Sequence, residues 1–248
     1  MFFTQKKIKF IKFLNIKFHN FSDKDFIKLI YRPGLFLFPS GPGLSSLETS
    51  TSYLASLKKA DYVFFDSGYF VVLLKIFKNI KVKKFSGYKF LKLFFNFLNM
   101  NKNKSIFLID PSKKKSLSNK KYLKEIGLKK IYNYISPNYN PNKLKDIKLL
   151  KKIKKIKPNY IMTNIGGGTQ EILGLYLKNN LKIKTTILCT GGAISYFTGD
   201  QAPINDFFDK IYLGWLVRII FNPKIFVIRY LRTIKLFLIV LSNKIEIG

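Results

Sequence analysis

Short apolar runs recur along the chain, several running into a loop rich in glycine, proline or aspartate, and longer stretches with helical spacing lie between them. Residues 35–38 end in Pro39-Ser40-Gly41-Pro42-Gly43, a helix-compatible stretch over 44–59 leads to Tyr62-Val63-Phe64-Phe65, and residues 69–78 and 88–99 read as helices. Residues 105–109 read as a strand ending in Asp110-Pro111, and 120–126 as helix. Strands at 132–135 and 160–163 flank a lysine-rich helix over 141–155, and a helix over 169–180 feeds a strand over 185–189. This β/α alternation predicts an α/β fold: a Rossmann-like, mostly parallel sheet with helices on both faces. In such a sheet ligands bind beyond the carboxyl ends of the strands. The loops at 39–43, 66–68 and 166–168 all fall at such ends.

The loop after the strand at 160–163 is the most distinctive. It reads Ile165-Gly166-Gly167-Gly168-Thr169-Gln170-Glu171 and opens a helix. Consecutive glycines let the backbone approach a bulky anionic ligand, because no Cβ blocks close contact or positive φ. Gln170 and Glu171 fall in the first helical turn, where their side chains can reach that ligand, so Gly166, Gly167, Gly168, Gln170 and Glu171 are candidate nucleotide or nucleotide-sugar contacts. The loop lacks the lysine and Ser/Thr of a Walker loop and the spacing of G-x-G-x-x-G, which lowers the weight of ATPase and NAD-enzyme readings. A glycine run also makes ordinary tight turns.

Composition excludes several chemistries. One cysteine, Cys189, rules out an internal disulfide, and no Cys/His cluster offers a zinc site. Cys189 closes the run Thr186-Ile187-Leu188 and reads as a buried strand thiol. His19 is the only histidine, so no Ser/His/Asp relay can be assembled with confidence and acid–base work falls mainly on 13 carboxylates. The formal charge of +32 resembles a nucleic-acid signature, yet the excess is almost wholly lysine, mixed evenly with Asn, Ile and Phe. Arginine is scarce: Arg32, Arg218, Arg229 and Arg232 are all there are, and such sparing use suggests positions that need a planar fork donor. No apolar run of about 18 residues argues for a spanning helix, and the amino terminus has no uninterrupted apolar core of the signal-peptide kind. The expectation is a cytoplasmic protein, peripheral at the inner face of the cell membrane.

Asp66 interrupts an otherwise apolar and aromatic run over 62–74 apart from Ser67 and Gly68, where an ionised carboxylate is costly without a partner or water. It reads either as the N-cap of a helix starting near Tyr69 or as a general base at a strand end.

With these pieces in order, the chain resembles the WecG/TagA/CpsF glycosyltransferases over residues 34–230. Ala60-Asp61-Tyr62-Val63-Phe64-Phe65-Asp66-Ser67-Gly68 is similar to the family's "AD.v..DG.G", Phe85-Ser86-Gly87 to "v.G", and residues 165–171 to "GlG.PkQE". Residues 190–199, beginning Thr190-Gly191-Gly192, are similar to "vGgafd..aG". Ala202-Pro203, Gly214-Trp215-Leu216-Val217-Arg218, Asn222-Pro223 and Arg229-Tyr230 resemble "rAP", "EWlyR", "eP" and "rRY". The resemblance implies transfer of a sugar, typically N-acetylmannosamine or its acid, from a UDP donor to a lipid-linked acceptor in bacterial surface-polymer synthesis. It implies Asp66 as the base, Gln170 in the donor pocket, Gly191 at a neighbouring substrate loop, and no metal or other cofactor, the UDP-sugar being a substrate. Departures mark a divergent branch. Phe38-Pro39-Ser40 replaces Thr-x-Asn, leaving Ser40 to take over part of that contact, Lys84 stands where members carry a basic residue before "v.G", and Gly214 replaces a glutamate.

The implied chemistry is an inverting displacement in which Asp66 deprotonates the acceptor while the glycine-loop amides, Lys84 and Arg218 steady the leaving UDP. Asp206 and Asp209 are three apart and form no Asp-x-Asp metal motif. The sequence divides into a core over 1–205 and a basic amphipathic helical appendage over 206–248. In the appendage Phe207, Phe208, Ile211, Trp215 and Ile219 follow helical spacing, and Pro223 opens a second helix. Arg218, Lys224, Arg229, Arg232 and Lys235 lie there among large apolar residues, the composition of a helix on an anionic membrane surface, although Arg218 and Arg229 can equally serve the donor phosphates. The expected partners are a UDP-sugar, a prenyl-diphosphate-linked saccharide acceptor and an anionic membrane, without nucleic acid. An oligomer is compatible with all of this. The rival readings are a basic nucleic-acid-binding protein and another nucleotide-dependent α/β enzyme such as a methyltransferase.

Overall fold

The computed structural model describes residues 8–201, 212, 219–220 and 223–248. Nine strands form one sheet: β1 (Phe10–Phe13), β2 (Ile16–His19), β3 (Gly34–Leu37), β4 (Tyr62–Phe64), β5 (Ser105–Asp110), β6 (Lys130–Ile135), β7 (Tyr160–Thr163), β8 (Thr186–Cys189) and β9 (Ile245–Ile247). Their order is β6-β5-β7-β8-β3-β4-β2-β1-β9. Every pairing from β6 to β2 is parallel, whereas β1 runs antiparallel to both β2 and β9.

The helices are α1 (Phe26–Ile30), α2 (Gly41–Leu44), α3 (Thr51–Lys58), α4 (Gly68–Phe77), α5 (Gly87–Met100), α6 (Lys113–Glu125), α7 (Ile147–Ile156), α8 (Thr169–Leu181), α9 (Pro223–Leu231) and α10 (Lys235–Ser242). Side-chain alternation along the strands divides them into two layers. Leu35, Leu37, Phe107, Ile109, Ile161 and Ile187 point into a core shared with α3, α4, α7, α8 and α10. Phe36, Phe64, Ile106, Leu108, Met162 and Leu188 point the other way, onto α1, α5 and α6. The second layer is a phenylalanine core: Phe38 stacks on Phe64 at 4.5 Å between centroids, and Phe94 meets Tyr160 edge-on at 4.9 Å. Much of the chain's aromatic content therefore serves packing.

The structure departs from the sequence reading in several places, one being the helix read over 141–155, which is a 3-10 turn over Pro141–Lys143 with α7 beginning only at Ile147, where Asp146 caps it by accepting from the Leu149 amide at 2.8 Å. The stretch over 44–59 is broken, because α2 ends at Leu44 and α3 begins only at Thr51, with serine and threonine hydroxyls bonding back to nearby carbonyls in between. The helix α6 begins at Lys113, well before residue 120, where Ser112 caps it by accepting from the Lys115 amide. The amino-terminal Lys/apolar segment is a β-hairpin: Ile11, Phe13, Ile16 and Phe18 face the core, and Leu14 (φ 51°) and Asn15 (φ 60°) form its two-residue turn.

Pro223 begins α9, as its fixed φ favours. Beyond it, Leu236, Ile239 and Val240 of α10 are buried in the same core as α4, and β9 completes the sheet edge against β1. The end of the carboxyl-terminal segment is thus built into the sheet and core. Residues 202–211, including Asp206 and Asp209, lie outside the described residues, as does the 205/206 boundary.

Candidate active site

The carboxyl ends of four adjacent strands, β7, β8, β3 and β4, carry the loops singled out in the sequence. At the end of β4 the chain turns sharply, with the Asp66 amide bonded to the Phe64 carbonyl at 3.0 Å. The N-cap role considered for Asp66 belongs to Ser67, whose Oγ accepts from the Phe70 amide at 3.2 Å. Asp66 is half-buried and its Oδ1 accepts the Gly87 amide at 2.7 Å, the first amide of α5. The positive end of that helix favours a negative group there.

After β7 the chain passes through Asn164 and Ile165 into Gly166 and Gly167, both exposed, and Gly168, whose φ of +89° an L side chain resists. A methyl group placed on Gly166 or Gly168 would meet nothing within 4 Å, so open space lies above the loop. Glu171 turns back onto this loop: its Oε2 accepts the Gly168 amide at 2.7 Å and its Oε1 accepts from Gln170 Nε2 at 3.1 Å. At 1% exposure, Glu171 holds the loop from below. Burial pushes its pKa up to about 7, opposed by its hydrogen bonds, and the nearby charge of Asp66 adds to the rise.

Gln170, 3% exposed, also lies against Thr163 Oγ1 at 3.4 Å. A Cβ at Gly191, which has φ +57°, would stand 3.1 Å from Gln170 Nε2. Glycine at 191 lets the loop after β8 pass against that amide, so Gln170 ties β7, α8 and the β8 loop together. Cys189 is fully buried with its thiol pKa raised by burial, the core thiol the sequence suggested.

Ser40 caps the one-turn helix α2, its Oγ accepting from the Gly43 amide at 3.4 Å. Phe38 turns away into the phenylalanine core. The carboxyl-terminal segment covers this corner: a methyl group on Gly41 would lie 2.9 Å from Thr233 Cγ2, and one on Gly68 would lie 2.8 Å from Tyr212 Cβ. The half-buried Lys84 places its ammonium 5.6 Å from the centroid of the Tyr212 ring. Arg218 lies outside the described residues, and Arg229 falls on α9 with its side chain likewise outside them. Arg32 is exposed at the amino-terminal end of β3, 3.5 Å from Tyr62 Oη, away from every loop of the site. Scarcity of arginine therefore does not mark Arg32 as functional.

A second buried polar group escaped the sequence reading. Asp110 ends β5 with no exposure, and its Oδ1 accepts from Asn119 and Asn164 at 2.7 Å each. Burial raises its pKa against those hydrogen bonds. Connections from β5 and β7 leave in opposite directions, to β6 and β8, so Asp110 and Asn164 sit at a topological switch point. Asp110 ends an apolar run much as Asp66 does, and that was the available signal.

His19 joins none of this. Its ring stacks on Phe21 at 5.3 Å, and burial together with Lys17 lowers its pKa to about 4. Among the described residues no three His, Cys, Asp or Glu side chains group as metal ligands.

None of the curated proteins matches the chain. The model of the glycosyl transferase WecG/TagA/CpsF family matches residues 11–247. With the match covering nearly the whole chain, the protein belongs to the WecG/TagA/CpsF family and is a glycosyltransferase of cell-surface polysaccharide synthesis.

Proposed function

We propose that the protein moves a sugar, an N-acetylhexosamine such as N-acetylmannosamine, from a UDP-sugar to a prenyl-diphosphate-linked saccharide acceptor. The observation that carries this reading is the placing of the Gly166-Gly167-Gly168 loop and Asp66 on one rim of the sheet. They end β7 and β4, three strand spacings apart, or roughly 14 Å. A nucleotide diphosphate spans such a distance, with phosphates over the exposed Gly166-Gly167 turn and the sugar towards Asp66.

In this reading Asp66 takes the proton of the acceptor hydroxyl as its oxygen bonds to the anomeric carbon. The bond from that carbon to the UDP oxygen breaks, UDP leaves with the electron pair, and the configuration inverts. Lys84, Ser40, Gln170, Gly191, Arg218 and Arg229 are the other proposed donor contacts, with cations serving where other transferases use a divalent metal. Asp66→Asn keeps the Gly87 hydrogen bond and removes the base. The expected outcome is turnover reduced at least a hundredfold in a folded protein that still binds UDP. Wild-type turnover in that variant would refute the assignment.

The reading includes an anionic membrane at the inner face of the cell. Val227, Ile228, Leu231, Ile234 and Leu238 are exposed on α9, α10 and the turn between them, alongside Arg232 and Lys235. Ile76 and Phe77 of α4 extend the exposed apolar surface, with Phe77 packed edge-on against Phe237 at 5.0 Å. Among the described residues no helix is long and apolar enough to cross a membrane.

A further inference from the structure

Tyr53 begins in the core and ends at the site. Its ring packs among the buried residues of the α8 face, with only 1% of the residue exposed. Its hydroxyl, itself buried, lies beside α2: a methyl group on Gly43 would stand 2.6 Å from the Tyr53 oxygen and 3.5 Å from Ser40 Oγ. Glycine at 43 is therefore what leaves room for the phenol oxygen next to Ser40.

Buried phenols ordinarily find a hydrogen-bond partner, because an unpaired one bears its desolvation penalty in full. The Tyr53 hydroxyl has none among the described residues. Beside it, Ser40 Oγ accepts from the Gly43 amide at 3.4 Å. Burial first, then the charges of Glu171 and Asp66, hold the Tyr53 pKa well above its ordinary value. The group stays protonated at neutral pH as an uncharged donor near two carboxylates.

We propose that the Tyr53 hydroxyl is a donor-sugar contact, giving its hydrogen bond to an oxygen of the transferred sugar, either a ring hydroxyl or an N-acetyl carbonyl. The inference rests on the UDP-sugar reading above and adds a specificity residue to it. A site built to pair a polar group discriminates by the penalty of leaving that group unpaired. Unpaired among the described residues, the hydroxyl bears this penalty, and a sugar with a correctly placed oxygen relieves it.

Tyr53→Phe in the full chain tests this, because it removes one oxygen and keeps the core ring. Melting temperature is measured alone, with UDP, and with UDP-N-acetylmannosamine, UDP-N-acetylglucosamine and UDP-glucose, together with kcat and KM for the most stabilising sugar. The variant should melt at or above the wild-type temperature and keep the UDP response. It should lose about tenfold in affinity for the preferred UDP-sugar relative to UDP. Gly43→Ala, which drives a methyl group onto the same oxygen, should lose affinity for that sugar in the same direction. Wild-type sugar affinity in both variants would overturn the inference while leaving the UDP reading standing, as would a wild-type protein that binds every UDP-sugar no more tightly than UDP. A wild-type protein that ignores UDP overturns both.

Discussion

Glu171 is a buried and His19 a half-buried ionisable side chain, and burial moves their pKa values in opposite directions. His19 falls from 6.5 to about 4, so the folded state keeps it neutral while the unfolded chain takes a proton below 6.5. The stability this contributes is present above pH 6.5 and is lost as pH falls towards 4. Glu171 rises from 4.5 to about 7, so the folded state holds its proton and stability falls as pH rises from 4.5 to 7. The Glu171 effect is worth about 3 kcal/mol and that of His19, discounted for the partial exposure of its ring, about 2 kcal/mol. Between pH 4.5 and 6.5 the two slopes oppose. Glu171→Gln should give a melting temperature that rises more steeply with pH than that of His19→Gln, and equal slopes would contradict the burial account. Residues also differ in how far their sequence disclosed them. Asp66 was legible because a carboxylate inside an apolar run needs a reason. Asp110 carries the same signal, but the proline after it reads as an ordinary turn, and its amide partners come from α6 and the β7 loop. Tyr53 could not be found at all, since what singles it out is a buried oxygen without a partner among the described residues.

At the scale of elements, the buried parallel strands were readable because each is a short apolar run bounded by loop residues. The hairpin β1–β2 was missed although Ile11, Phe13, Ile16 and Phe18 alternate with polar or exposed positions, because its turn uses Leu14-Asn15 and carries no glycine to announce it. The carboxyl-terminal segment was read as an amphipathic surface, and its exposed residues fit that description. Its core contacts were not readable, because a helix that packs on α4 and a strand that pairs with β1 depend on partners distant in sequence. This has a practical consequence: deleting everything after Asn222 would strip Leu236, Ile239 and Val240 from the core and remove an edge strand, so loss of membrane binding would be uninterpretable. Placing negative charge on the exposed apolar face is cleaner. Ile228→Glu combined with Leu231→Glu and Leu238→Glu, all at positions at least 59% exposed, should reduce binding to anionic liposomes at least tenfold without lowering the melting temperature by more than a few degrees. Unchanged liposome binding would remove the membrane from the account.

For the whole molecule, topology does what no single residue can. A chain whose crossovers place β7, β8, β3 and β4 side by side brings a glycine loop, Gly191, Ser40 and Asp66 onto one rim, although they span positions 40 to 191 in sequence. The net charge of +32 acts on the same scale, drawing any anion towards the protein. Attraction of that kind is shared by all nucleotides and weakens with salt. Selectivity at physiological salt therefore separates a built site from a basic surface. The most direct measurement is the melting temperature of the full chain at that salt with UDP, UDP-sugars, GDP-mannose and S-adenosylmethionine. A UDP-sugar transferase site predicts stabilisation by UDP and its sugars alone, by RT ln(1 + [L]/Kd). No response to UDP, or the same response to every nucleotide, would contradict it.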